Sequence, residues 1–292
     1  MPSAVTVTAP CKVNLSLDVF PPRADGFHDL DSVVVQFAPP ADELRVTVEP
    51  ATENSVTLEC SDPTLPPDGR NLAHRAAVAF LAAFPPPEPV AVRITLAKRL
   101  PSEAGLGGGS SDAAAVLLAL ASLLPCDADR LPEGAAGLGS DVPLFLHPGP
   151  VRMRGRGEVV EPLLFENPPL YGVIVKPGVG VPTGPAYAAL DALPGREPGR
   201  ATARVLDALR RGASPDALGA AMGNDFEAAI LPAYPEVAAA HRVVSEAGAV
   251  RALLCGSGAA VFGLARDRDH ARALTAALCG RFPYVHLAEG RP

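Results

Sequence analysis

The chain has no Cys-x-x-Cys pair and no His-Glu-x-x-His run, and its five cysteines, Cys11, Cys60, Cys126, Cys255 and Cys279, are odd in number and widely spaced. This argues against a disulfide framework, a structural zinc site and a helical metal site built on paired histidines. Positive charge is not in excess. Lysine and arginine number 25 against 32 aspartates and glutamates, giving a formal net charge of -7 and a pI near 5.4. The electrostatic footprint of a nucleic-acid binder is therefore missing, and the cluster Arg152, Arg154 and Arg156 is too small to supply one. No apolar run approaches the ~18 residues of a membrane span, and no internal repeat is present. The start, Met1-Pro2-Ser3-Ala4-Val5-Thr6, lacks the basic and apolar regions of a signal peptide, so the expected location is the cytoplasm.

What is present is a chain of 292 residues, 48% hydrophobic, which is long for a single core and fits two domains of ordinary size. Its 33 prolines, with many alanines, glycines and arginines, are spread along the chain and reflect genome bias and loop rigidity rather than a low-complexity tail.

The most informative stretch is Leu100-Pro101-Ser102-Glu103-Ala104-Gly105-Leu106-Gly107-Gly108-Gly109-Ser110-Ser111-Asp112, which feeds an alanine- and leucine-rich run at 113–124. Glycines at 105 and 107–109 allow backbone conformations closed to other residues and let main-chain N–H groups approach a ligand unobstructed. The run that follows reads as a helix capped by Ser110, Ser111 and Asp112, whose positive end favours an anion in the loop. A glycine-rich turn before a helix is the plain alternative. The Walker A pattern does not fit, because Gly109 is followed by Ser110-Ser111-Asp112 rather than by Lys and Ser or Thr. Nor does the dinucleotide fingerprint, which needs glycine at Ser110 or at Asp112.

In chain order, period-two alternation predicts strands at 5–9 and 13–19, separated by Pro10-Cys11-Lys12. Lys12 alone reads as a solvated lysine. Asn14, Ser16 and Asp18 share one face of the second strand and form a candidate cleft lining. The loop 21–31 has an Asp25-Gly26 turn signal followed by Phe27-His28. An aromatic face beside an imidazole can stack on a base and bond its edge; a core phenylalanine with a solvated histidine is equally open. Strands are expected at 32–37, 44–48, 56–60 and 92–96, with a helix at 71–84 that Asn71 caps and Pro85-Pro86-Pro87 ends. Asp141 follows Gly137-Leu138-Gly139-Ser140 and enters an apolar run, as a turn residue or as a catalytic acid-base group. The charged, hairpin-like segment 151–160 marks the expected junction between domains at 1–160 and 161–292. In the second half a strand at 171–176, helices at 183–190, 201–211 and 234–247, strands at 251–255 and 260–265, a helix at 268–279 and a strand at 284–287 suit an α+β, ferredoxin-like arrangement. Between the paired strands lies a second glycine turn, Cys255-Gly256-Ser257-Gly258-Ala259-Ala260, which a tight hairpin bulge also explains.

These residues resemble a family. Residues 101–112 look like the ATP loop of the kinases that phosphorylate galactose, homoserine, mevalonate and phosphomevalonate, the GHMP kinases. Pro10-Cys11-Lys12-Val13-Asn14-Leu15 and Leu254-Cys255-Gly256-Ser257-Gly258 resemble that superfamily's first and third motifs in the right order. Arg23-Ala24-Asp25-Gly26-Phe27-His28, Gly139-Ser140-Asp141-Val142-Pro143 and Lys176-Pro177-Gly178 followed by Pro182-Thr183 are similar to a branch whose substrate is a cytidine diphosphate ester.

The resemblance implies an α+β, two-domain fold. It pairs an N-terminal, ATP-binding domain like ribosomal protein S5 domain 2 with a C-terminal ferredoxin-like domain on the substrate side, the active site lying in the interdomain cleft. It implies Lys12 and Asp141 as catalytic groups, and ATP at Pro101, Gly105, Leu106, Gly107, Gly108, Gly109, Ser110 and Ser111. Mg²⁺ would come with the nucleotide, with Ser110 or Ser111 as an oxygen ligand. Phe27 and Tyr187 would sandwich the cytosine, His28 would bond its edge, and Asn14 and Thr183 would make polar contacts. Phe27 departs from the usual tyrosine, and Glu103-Ala104 stand where glycines are usual; Glu103 would repel a triphosphate unless it points away or meets the metal. Another small-molecule kinase of the superfamily (mevalonate- or homoserine-type) and a non-catalytic nucleotide- or RNA-binding S5-like protein are the alternatives.

Overall fold

The structure, a computed structural model, describes residues 3–164 and 169–290. The outer limits of the expected domains, Met1 and Pro292, lie outside the described residues. The first half runs through β1 (Ser3–Asn14), β2 (Ser16–Pro22), β3 (His28–Pro50), β4 (Ser55–Cys60), α1 (Leu72–Ala83), β5 (Val90–Ala97), α2 (Gly108–Leu123) and α3 (Leu131–Leu138). After a 3-10 turn at Pro143–Leu146 come β6 (Val151–Gly155), β7 (Val159–Pro162), β8 (Leu170–Lys176), α4 (Thr183–Asp191), α5 (Ala201–Arg210), α6 (Pro215–Ala221) and β9 (Gly223–Asn224). The chain ends with α7 (Glu227–Ala233), α8 (Pro235–Glu246), β10 (Arg251–Leu254), β11 (Val261–Leu264), α9 (Arg268–Leu278) and β12 (Tyr284–Gly290). No helix among the described residues is long and apolar enough to cross a membrane.

Several expected boundaries move. The predicted break at Pro10-Cys11-Lys12 is absent, because Ala9, Cys11, Val13 and Leu15 are all fully buried and the inward alternation runs straight through it. The chain bends at Leu15 instead. The strands predicted at 32–37 and 44–48 are one strand, β3, which pairs with β2 and β6 over its first part and with β5 over 43–50. The helix after the glycine loop starts at Gly108, so Ser110, Ser111 and Asp112 lie inside it rather than capping it. Gly107 holds the cap position at φ +71°, a left-handed turn that glycine makes without a Cβ penalty. The segment 255–260 is a loop between the paired Leu254 and Val261, not a tight hairpin. The short helices α3, α6 and α7 were not foreseen; their runs of alanine, glycine and proline carry little periodicity.

The chain forms two compact units that interleave in sequence. The first comprises residues 1–10, 41–100 and 107–148. There β5 pairs antiparallel with β3 and parallel with β4, and Val46, Val92, Ile94 and Leu96 are buried. Helix α1 supplies Ala73, Ala76, Ala77 and Phe80 to the core, and α2 supplies Ala113, Ala114, Val116 and Leu120. Asn71 caps α1 as expected, its side chain accepting from the Ala73 N–H.

The second unit comprises residues 11–40, 101–106 and 149–292. Its antiparallel strands lie in the order β10-β11-β8-β12, so β8, first of the four in sequence, sits inside with β11 and β12 on either side. With the crossing helices α8 and α9 this is the β-α-β-β-α-β ferredoxin-like order that the sequence predicts. Val173, Val175 and Val261 of the sheet pack with Val237, Val244, Leu274 and Leu278 of those helices in one apolar core. At its far edge β12 meets β3, with Gly290 opposite Phe37.

Candidate active site

The glycine loop is built differently on its two sides. In the second unit, residues 103–106 lie along the loop 255–260: the Ala259 N–H donates to the Glu103 carbonyl (3.2 Å) and the Ala260 N–H to the Ala104 carbonyl (3.1 Å). A Cβ on Gly105 would stand 1.8 Å from the Cys255 carbonyl oxygen, so only glycine permits this approach. The two glycine segments of the sequence are thus one main-chain assembly. Leu106 is buried, and its carbonyl accepts from the Lys12 N–H at 2.9 Å. Glu103 has φ +50°, which explains why glycine is the easier residue there, and its carboxylate lies against Gly180.

In the first unit, α2 opens on Gly107, which has no side chain of its own to cap the helix's first N–H groups. Those groups and the positive helix end suit phosphate oxygens. Behind the helix start sits a buried charge cluster that sequence reading missed. Lys98 Nζ contacts Asp42 (2.5 Å) and Asp112 (2.8 Å), and Asp42 also accepts from the N–H groups of Arg99 (2.5 Å) and Leu100 (2.7 Å). A Cβ on Gly108 would come within 3.0 Å of the Lys98 ammonium. Burial, eased by Lys98 but reinforced by Asp42, pushes the Asp112 carboxyl up to about 7; the two carboxylates, outweighing burial, push Lys98 up. Ser111 is buried, and its Oγ has no hydrogen-bond partner among the described residues, while Ser110 on the same turn is half-buried. Hydroxyl oxygens of this kind are hard donors that fit a magnesium ion bound with phosphates. Among the described residues no group of three His, Cys, Asp or Glu could hold a metal ion.

Lys12 lies in β1 of the second unit, buried, with Nζ donating to Asn14 Oδ1 at 2.7 Å. Gly256 keeps room for it: a Cβ there would be 3.3 Å from Nζ. The neighbouring thiol of Cys255 is pushed up to about 12 by burial and is no nucleophile at neutral pH. Asp141 lies in the first unit, half-buried, in the turn between α3 and Pro143–Leu146.

Asn14, Ser16 and Asp18 fall on two strands, since the chain bends at Leu15, and all three are buried and hydrogen-bonded. Asn14 Nδ2 donates to Ser32 Oγ (2.8 Å), Ser16 Oγ is 2.9 Å from Thr202 Oγ1, and Asp18 accepts from the N–H groups of Ala201 (3.0 Å) and Thr202 (2.9 Å). Asp18 thereby caps α5 from a distant strand.

Around the Phe-His turn, His28 Nε2 lies 2.8 Å from Asp191 Oδ1, and its ring centroid is 4.8 Å from that of Tyr187. Tyr187 also meets Phe226 edge-on at 4.9 Å. Phe27 is 52% exposed, and the guanidinium of Arg156 lies 4.4 Å over its ring. Arg156, dismissed in sequence as part of a small basic cluster, is therefore beside the aromatic turn. Thr183 begins α4, with Oγ1 3.5 Å from Ser257 Oγ. Asn224 was also missed; its amide donates to the carbonyls of Leu254 (2.8 Å) and Gly256 (2.7 Å) and holds the second glycine loop. Its only signal was a Gly-Asn-Asp run between helical segments.

Residues 71–149 match the GHMP kinases N terminal domain, and residues 205–283 match the GHMP kinases C terminal. The 4-diphosphocytidyl-2-C-methyl-D-erythritol kinase of Moorella thermoacetica is 41% identical over 283 residues, covering 96% of each chain. That of Thermus thermophilus is 42% identical over 271 residues, covering 92% of this chain and 91% of its own. A crystal structure of a 4-(cytidine 5'-diphospho)-2C-methyl-D-erythritol kinase, 38% identical, superposes with a TM-score of 0.81 over 99% of this chain and 100% of that one. A homoserine kinase from Cytophaga hutchinsonii shares the fold, with a TM-score of 0.76 at 20% identity and coverage of 99% and 94%.

Proposed function

Because the chain belongs to the GHMP kinases, we propose that its residues carry out phosphoryl transfer from ATP to the 2-hydroxyl of 4-diphosphocytidyl-2-C-methyl-D-erythritol, giving the 2-phosphate and ADP. The chain is a small-molecule kinase with 4-diphosphocytidyl-2-C-methyl-D-erythritol kinase activity, a step of non-mevalonate isoprenoid precursor synthesis. The observation that supports the assignment of roles is the start of α2 on Gly107, a residue with no side chain to cap the helix, which follows in sequence a backbone approach that tolerates no side chain at Gly105.

The ATP phosphates are proposed to lie along Pro101, Gly105, Leu106, Gly107, Gly108, Gly109, Ser110 and Ser111, where the N–H groups at the start of α2 can meet phosphate oxygens. Magnesium, held by the phosphates with Ser110 or Ser111 as a protein oxygen, would supply neutralisation of phosphate charge. An alcohol is too weak an acid to be ionised in the ground state, so Asp141 accepts its proton as the O–P bond forms. Lys12 orients the hydroxyl and offsets negative charge there. The cytosine is assigned to Phe27, His28 and Tyr187, with Asn14 and Thr183 as polar contacts. The His28–Tyr187 pair supports this, since it presents an imidazole and an aromatic face together. Residues 1–160 are proposed as the ATP-binding domain, which also lends Lys12, Asn14, Phe27 and His28 to the substrate, and 161–292 as the domain on the substrate side; the enzyme is assigned to the cytoplasm, where ATP is at hand.

Incubation with Mg-ATP and either the cytidyl-methylerythritol substrate or mevalonate, followed by ADP release, tests the acceptor. ADP formed with mevalonate and not with the cytidyl ester would overturn the substrate.

A further inference from the structure

We propose that Ser32 is a positioning residue for the ammonium of Lys12, acting through the amide of Asn14. The inference rests on the assignment of Lys12 to the reaction. An asparagine amide can be turned either way in its site, and only its partners decide which end is oxygen. Here one end, Oδ1, accepts from Lys12 Nζ at 2.7 Å, and the other, Nδ2, faces Ser32 Oγ at 2.8 Å. The Ser32 hydroxyl proton is committed elsewhere, donated to the Ser16 carbonyl at 2.6 Å. Its oxygen can therefore only accept from Asn14, and the Asn14 NH₂ must turn toward Ser32 and its carbonyl toward the ammonium. The opposite orientation would set donor against donor at Lys12.

The anchor behind Ser32 is itself fixed. Ser16 Oγ accepts from the Val33 N–H at 2.9 Å, and Thr202 Oγ1 lies 2.9 Å from it and 2.8 Å from the Asp31 carbonyl. Lys12, Asn14, Ser16, Ser32 and Thr202 are all at most 6% exposed, so water competes weakly for these bonds and each is strengthened by its low-dielectric surroundings. Without the Ser32 hydroxyl, the Asn14 Nδ2 loses its acceptor, and the amide is held in place from the ammonium side alone. The ammonium then loses a fixed acceptor, and misplacement of this kind acts on the reacting geometry rather than on affinity.

The test is single-turnover and steady-state kinetics of Ser32→Ala, Ser32→Thr and Lys12→Met, with thermal melting of each. Ser32→Ala is expected to lower the chemical rate roughly tenfold while both KM values stay within about twofold. Ser32→Thr, which keeps the hydroxyl, restores the rate. If Ser32→Ala does not fold, Ser32→Cys replaces it, because a thiol fills the site but bonds poorly. A wild-type rate in Ser32→Ala beside an inactive Lys12→Met overturns the positioning role. So does an equal loss in Ser32→Thr, which would signal packing. An active Lys12→Met overturns the catalytic reading of Lys12 itself, and the positioning role with it.

Discussion

Gly105 lies so close to Cys255 that a Cβ on the glycine would stand 1.8 Å from the Cys255 carbonyl oxygen, and its φ is +73°. Gly26 has a similar φ, +80°, with nothing within 4 Å of the added atom. The pair separates backbone strain from collision. Gly26→Ala is expected to cost about 1 kcal/mol, the left-handed term alone, and Gly105→Ala that amount plus an overpacking cost of roughly 1–3 kcal/mol. Urea unfolding measures both; equal losses would mean that the two glycine loops are not locked together as described.

Asp141→Asn keeps the shape of the side chain and removes its ability to take a proton. Turnover should fall roughly 10²- to 10⁴-fold, while ATP affinity, measured by calorimetry with a non-hydrolysable analogue, stays near wild type. Near-normal turnover by this variant would move the base elsewhere.

Phe27→Ala and Tyr187→Ala should both raise the KM for the cytidyl substrate with little change in that for ATP, on a stacking scale of ~1–3 kcal/mol per base. They should differ in stability. Phe27 is half exposed, whereas Tyr187 packs on His28 and Phe226, so only Tyr187→Ala should lower the melting temperature. A rise confined to the KM for ATP would displace the base site.

Asp112 gives a pH dependence. Its carboxyl is pushed up to about 7 in the fold from an ordinary 3.8, so between those values the unfolded chain releases a proton that the folded chain keeps. Stability therefore falls as pH rises through that window and levels off above about 7. Asp112→Asn removes the titration and leaves Lys98 its partner Asp42. Relative to wild type the variant should gain on the order of 1–3 kcal/mol between pH 4 and pH 8. Parallel denaturation curves at the two pH values would contradict this.

The ferredoxin-like order and the helix behind the glycine loop were legible because period-two and helical patterns are local. The start of α2 was misread: three good capping residues stand at 110–112, yet Gly107 takes the cap, and Asp112 is claimed by Lys98. That pairing has no local signal, since Asp42 and Lys98 are 56 residues apart and each alone resembles a solvated charge. Likewise, Pro10-Cys11-Lys12 looked like a break because proline and lysine are strand-poor, while burial of Ala9, Cys11 and Val13 carried the strand through. Arg156 was discounted on charge, whereas its place over Phe27 depends on a hairpin fold that no spacing reveals.

The cap on α5 has one more consequence. Arg200 offers that helix no capping side chain, and the carboxylate that serves its first N–H groups belongs to Asp18, 183 positions earlier. The helix and the N-terminal strand are thus parts of one cooperative block. Cut out as a peptide, 200–211 would fray from its first turn, and in the growing chain Asp18 must wait, unpaired and hydrated, until the helix that completes it has been synthesised.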